Sequence, residues 1–138
     1  MNPNLIIILC IILWGMWGFT NKFCNMQNSP VFVTLVTNFL YMAFSLPLLF
    51  KLKTEEINWS FSVAGFLVCT AIFGVGAKFL FNMALSQSPA SGVVSATSAY
   101  PIVTLILAVI FLNEKMNFQQ GLGVGLCVIG VYLITAAN

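Results

Sequence analysis

Five long apolar runs, at about 4–24, 30–50, 60–85, 90–113 and 119–137, alternate with short polar interruptions. Each run reaches or approaches the roughly 20 apolar residues that an α-helix needs to cross a bilayer. The interruptions are Asn25–Ser29, Lys51–Asn58, Ser86–Pro89 and Glu114–Asn117, and only the second is markedly charged. Pro30 and Pro89 stand where a helix can begin, since the first helical position has no use for an N–H donor. Trp59 falls at an expected membrane interface, where tryptophan is enriched. With water excluded, helices satisfy their own backbone groups. The pattern therefore predicts an all-α polytopic membrane protein with five transmembrane helices, forming one domain over residues 1–138.

The polar residues inside the runs are not scattered. Residues three or four apart share a helix face. Thr34, Thr37, Asn38, Tyr41 and Ser45 share one on the second helix, and Gly74, Lys78 and Asn82 stack one turn apart on the third. The fourth carries Thr97, Tyr100 and Thr104, and the first Trp14, Trp17, Gly18, Asn21 and Lys22. Such stripes have two readings. Thr, Ser, Asn and Gly bind transmembrane helices to one another, and the same faces can line a polar path. The fifth helix has no polar stripe, but Gly121, Gly125 and Gly130 give it a small-residue face suited to close helix packing.

Lys78 is the one lysine well inside a run, about seven residues or roughly 10 Å from its expected end at a rise of about 1.5 Å per residue. It either snorkels to the near interface or faces a watered cavity, the usual station of an ionisable group in a membrane. Asn82 lies one turn further along. Lys22 is closer to its helix end and is read as structural.

Composition narrows the chemistry. Of 138 residues, 60% are hydrophobic and 6% charged, against about 25% charged in soluble domains. Five lysines and three glutamates give a net charge of +2 and form no basic patch for nucleic acid. Histidine is absent, and Cys10, Cys24, Cys69 and Cys127 lack metal-ligand or redox spacing. No nucleophile–base pair or carboxylate dyad is visible, so an enzyme is not expected; nor is a cofactor or a metal. No phosphate-binding glycine–lysine loop marks a nucleotide site. No carboxylate lies within a run, which disfavours exchange of protons for cationic drugs. A lysine and aromatic rings suit a carboxylate, phosphate or zwitterion better. The start of the chain lacks a basic leader region and is read as a retained membrane helix. The loop lysines favour a cytoplasmic N-terminus and an external C-terminus by a narrow margin.

One progression is more specific. Ala84-Leu85 leads through Pro89-Ala90-Ser91 to Tyr100-Pro101-Ile102-Val103-Thr104, then to Glu114 and to Gln120-Gly121. With Trp14-Gly15 and Lys22 on the first helix, this resembles the EamA domain of the drug/metabolite transporter superfamily, over nearly the whole chain. Typical members carry two five-helix repeats of opposite topology, with the substrate near their interface. A chain with one repeat resembles the half-size members, which implies a homodimer, antiparallel or parallel, in a prokaryotic cytoplasmic membrane. The resemblance implies a secondary transporter of a small polar metabolite working by alternating access. Lys78, Asn82, Tyr41, Asn38, Trp14, Trp17 and Tyr100 are the expected substrate-path residues. Gly121, Gly125 and Gly130 would pack the dimer among membrane lipid, and Glu114 at its helix end is read as structural. Pro101, inside the fourth run, permits a kink that serves either as a gate or as a tolerated irregularity. The alternatives are a subunit of a lipid-linked sugar flippase and a non-transporting accessory subunit.

Overall fold

The computed structural model describes residues 3–53, 57 and 60–136. Glu55, Glu56 and Trp59, which the sequence assigns to the charged loop and the interface, lie outside the described residues. Among the described residues the chain is all-helical. Five helical segments are long and apolar enough to cross a membrane: Leu5–Asn25, Pro30–Lys51, Phe61–Gln87, Ala90–Leu112 and Phe118–Ala136. They divide into two compact units, residues 1–87 and 88–138.

The first unit contains α1 (Pro3–Asn25), α2 (Pro30–Ser45), a 3-10 helix (Leu46–Lys51) and α3 (Phe61–Gln87). At the start of α2 the Ser29 hydroxyl accepts the Phe32 N–H at 3.2 Å, with Pro30 beside it. This is the ordinary way to satisfy an orphan donor at a helix start. The expected helix over 30–50 holds its α geometry only as far as Ser45. Pro47 cannot donate to the Ala43 carbonyl and its ring crowds that group. The Leu46 N–H takes the same carbonyl instead, and the chain tightens into 3-10 turns. Ser60 precedes α3, its hydroxyl accepting the Val63 N–H at 3.2 Å. With 27 residues, α3 is about 40 Å long, enough to cross the hydrocarbon and both interfaces.

In the second unit the expected helix over 90–113 is two helices, α4 (Ala90–Thr97) and α5 (Tyr100–Leu112). Pro101 is the cause, although the break falls ahead of it. Without an N–H it leaves the Thr97 carbonyl undonated. The Ser98 N–H is shared between the Val94 and Ser95 carbonyls at 3.1 and 3.2 Å, closing α4. The Ile102 N–H then opens α5 by bonding Ala99 at 3.0 Å. Helix α5 ends at Asn113, whose φ of 53° is the one positive value at a non-glycine among the described residues. Asparagine tolerates that left-handed geometry better than most side chains. Next, Asn117 and Gln120 exchange side-chain-to-backbone hydrogen bonds of 2.8 and 2.9 Å. This reciprocal cap starts α6 (Phe118–Ala136), which packs on α4.

Burial is inverted relative to a soluble domain. The buried side chains include Asn21, Asn25, Thr34 and Asn82 beside Val33, Leu85 and Val93, whereas leucines, isoleucines and phenylalanines lie exposed along every spanning segment. A chain that turns its apolar surface outward and its amides inward is folded for lipid.

Candidate functional site

In the first unit α2 and α3 pack in an antiparallel register that brings their polar rows together. The Lys78 Nζ donates to Asn38 Oδ1 at 2.7 Å. One turn along, the Asn82 Nδ2 donates to Thr34 Oγ1 at 2.8 Å. The i, i+4 spacing of 34 and 38, and of 78 and 82, sets two parallel rungs. The same ammonium lies 3.8 Å from the centre of the Tyr41 ring, close enough for a cation–π contact. Tyr41 also accepts a hydrogen bond from the Trp17 Nε1–H of α1, and Trp17 stacks on Phe81 with ring centres 5.2 Å apart.

Lys78 is therefore held at depth. Helix α3 continues to Gln87, beyond the expected end of the run, so Lys78 lies about 14 Å from it along the axis. The ammonium contacts the level of Asn38 and Tyr41, about 12–17 Å into α2, and is not drawn toward the helix end. Its partners are a neutral carbonyl and a π face. A primary ammonium has three N–H donors, of which Asn38 uses one.

Toward the end of the unit nearer the α1–α2 loop the interior closes. Asn82 is fully buried, and its Oδ1 accepts from Asn25 Nδ2 at 3.1 Å. The Asn25 amide also donates to the Asn21 carbonyl at 2.8 Å, and the Asn21 amide to that of Trp17 at 3.0 Å. Lys22 donates to the Leu85 carbonyl at 2.7 Å, placing a cation at the C-terminal turn of α3, where the helix dipole favours it. Asn82 thus links α1 and α2 through one amide group. Tyr41, at 46% exposure, marks the accessible end of the row, and Asn82, at 0%, its sealed end.

Two acceptors in the sealed region, Asn21 Oδ1 and Asn25 Oδ1, are buried with no partner. A buried unsatisfied group costs about 1–3 kcal/mol, whereas an average membrane side-chain hydrogen bond contributes about 0.6 kcal/mol. Asn21→Leu removes one such cost and one bond to an already bonded helix carbonyl. It is expected to raise stability by about 1 kcal/mol, read as a higher Tm in detergent. A lower Tm would show that the Asn21 oxygen is paired in the folded protein.

The remaining expected residues fall elsewhere. Trp14 is 63% exposed and stays outside the network. In the second unit Tyr100, Pro101 and Glu114 line a cavity of about 640 Å³ between α5 and α6. A Cβ added at Gly125 or Gly130 would meet nothing within 4 Å, and one at Gly121 would touch the Met116 methyl at 3.5 Å. Sequence reasoning did not single out Asn25, which it placed in a loop, or the Phe81 ring. The signal for Asn25 is the spacing of four that continues from Trp17 through Asn21.

The cluster offers an anion two unused ammonium N–H groups and the Tyr41 hydroxyl proton, in a span without a carboxylate. The comparisons with known proteins agree with a carrier. The EamA-like transporter family matches residues 1–136. The chain is 28% identical to the uncharacterized protein MJ1333.1 of Methanocaldococcus jannaschii over 131 residues, 95% of this chain and 94% of that protein. It is 32% identical to the uncharacterized transporter YwfM of Bacillus subtilis over 116 residues, covering 81% of this chain and 38% of YwfM. No solved structure gives a significant match. Family match, five spanning helices and inward-facing polar rows lead to one statement: the chain is an integral, multi-pass membrane protein and belongs to the EamA-like transporter family.

Proposed function

We propose that the protein is a secondary transporter of small carboxylate-bearing or zwitterionic metabolites, in which Lys78 contacts the anionic group of the substrate. The observation that carries this reading is the placement of the Lys78 ammonium at membrane depth against neutral partners only, Asn38 at 2.7 Å and the Tyr41 ring at 3.8 Å. An ammonium in hydrocarbon without a counter-charge is costly. A substrate that brings the missing negative charge gains what the protein leaves unpaired. Asn38 and Tyr41 orient the ammonium, Trp17 fixes the Tyr41 hydroxyl, and the Asn82 cluster closes one end of the path.

Transport across a bilayer needs a path that opens on each side in turn. In the inverted-repeat plan five helices supply half of such a path, and the first unit of this chain is closed at one end by Asn82. The chain matches 38% of YwfM, which leaves room there for a second unit of similar size. In this reading a second copy of the chain supplies that half, in a prokaryotic cytoplasmic membrane, with the small-residue face of α6 available for packing. Tyr100 and Pro101 would then act at the break between α4 and α5, where two short helices can change angle more readily than one long one.

The test is uptake by proteoliposomes loaded with the purified chain. The probes are labelled small carboxylates, zwitterionic amino acids, a quaternary ammonium compound and a neutral sugar. Uptake confined to one or more of the first two classes is expected. Uptake of the quaternary ammonium alone would overturn the assignment of Lys78 as an anion contact. Labelling single cysteines in the second loop and near the C-terminus from outside intact cells reads the insertion. Both sites labelled in comparable fractions means insertion both ways and supports an antiparallel pair; the C-terminus alone means one fixed orientation, which leaves a parallel pair or an inverted partner.

A further inference from the structure

The cavity of the second unit does not share the chemistry of the Lys78 cluster. We propose that it holds one acyl chain of a phospholipid with a phosphoethanolamine headgroup, the headgroup lying between Glu114 and Lys115. This assignment stands independently of the transport reading.

The lining is graded along the helix axis. The floor lies at the break between α4 and α5, where Tyr100 and Pro101 contribute. The middle is walled mainly by aliphatic side chains such as Leu105 and Val124, with the Thr104 side chain and the bare backbone of Gly123 among them. The mouth carries Glu114, Lys115 and Gln120. Helix α5 has 13 residues, so floor and mouth are about 20 Å apart. Half of a hydrocarbon core is about 15 Å. The cavity therefore runs from one interface to near the middle of the bilayer, the depth reached by the chains of a single leaflet. Its volume of about 640 Å³ is within the range of small-molecule sites, about 300–1,000 Å³.

The wall decides what enters. A charged metabolite in this mostly aliphatic middle would lose its water for little more than the Thr104 hydroxyl, a cost of several kcal/mol. A hydrocarbon chain loses nothing there. The mouth decides the headgroup. Among the described residues no ion pair joins Glu114 or Lys115 to each other or to a third group, so the cavity opens between a cation and an anion that are both unpaired. A phosphate suits Lys115, and a primary ammonium with N–H donors suits the Glu114 carboxylate. Phosphatidylethanolamine supplies both. Phosphatidylglycerol has the phosphate but no cation for Glu114, and the quaternary nitrogen of phosphatidylcholine has no N–H to donate.

Native mass spectrometry of the full chain, purified in detergent and titrated with defined lipids, tests this. Wild type is expected to retain one phosphatidylethanolamine, preferred about 10-fold over phosphatidylglycerol and by less over phosphatidylcholine. Glu114→Gln and Lys115→Gln together should erase the headgroup preference while a lipid is still retained. Gly123→Leu places a side chain on the cavity wall where an added Cβ meets nothing within 4 Å, so it takes up cavity volume and should abolish retention. Gly123→Ala, which fills little, should retain the lipid and controls for folding. Equal retention of both lipids by wild type, an unchanged preference in the double variant, or full retention by a folded Gly123→Leu protein would each overturn the proposal.

Discussion

Lys78→Met is expected to lower uptake of a carboxylate-bearing substrate about 10- to 100-fold while the chain still inserts and folds. Hydrogen bonds to a charged group contribute about 1.5–3 kcal/mol, and each 1.4 kcal/mol is a factor of ten. Methionine keeps an unbranched apolar stem against the Tyr41 ring and deletes the charge together with its N–H donors. On the stability side two terms oppose. The Asn38 oxygen loses its 2.7 Å donor, and the membrane no longer holds an ammonium without a counter-ion. The Tm in detergent should accordingly move by a few degrees at most, while transport collapses. That split separates a substrate contact from a merely structural lysine, whose loss would act on Tm first. Undiminished uptake in Lys78→Met proteoliposomes would remove Lys78 from the substrate path and leave the α2–α3 polar rows as helix-to-helix adhesive, whereas no uptake by wild type with any probe would favour an accessory role.

The spans were legible because a bilayer imposes a length. A run of about 20 apolar residues has few other uses, and all five expected runs correspond to helical segments of spanning length. What happens inside a run was harder to read. Pro101 announced an irregularity, yet the helix parts at Ser98 and Ala99, ahead of the proline, because the carbonyl it deprives is that of Thr97. Pro47 does the same to the second run, and nothing in the sequence marks it, since a proline near an expected helix end looks harmless. The facing of the rows on α2 and α3 could be anticipated, as Asn38, Lys78 and Asn82 are the most polar residues at spanning depth. The rotation of α1 could not. Trp14 and Trp17 are three residues apart and chemically identical, and the contacts of Lys22 and Asn25 with α3 go with a rotation that turns Trp17 toward Tyr41 and leaves Trp14 exposed. For Tyr100 and Glu114 the types of residue were legible, but their lining of one cavity depends on how α6 lies against α4 and α5.

Asn82→Leu is expected to be the most destabilising single change in the first unit, at about 2–3 kcal/mol. Asn82 is fully buried and is the residue whose side chain bonds both other helices, to Thr34 at 2.8 Å and from Asn25 at 3.1 Å. Two lost bonds contribute about 0.6 kcal/mol each on average and up to about 1.7. The groups left behind soften the loss, because Thr34 still donates to the Pro30 carbonyl at 2.7 Å and Asn25 to that of Asn21. Each nevertheless loses its partner on α3. Leucine also introduces a branched apolar end where the amide was flat and polar, beside a Leu85 that is already fully buried. Unfolding in detergent with increasing dodecyl sulfate measures the effect, and a cycle with Thr34→Val apportions it. If the α2–α3 rung is intact in the native protein, Thr34→Val costs less in the Asn82→Leu background than in wild type, because contacting residues are not additive. Additive losses would place the stabilisation elsewhere. The α2–α3 side of the sealed end would then rest on aliphatic contacts such as those of Val33 and Leu85, and the Asn25–Asn82 bond would be left to close the side of α1.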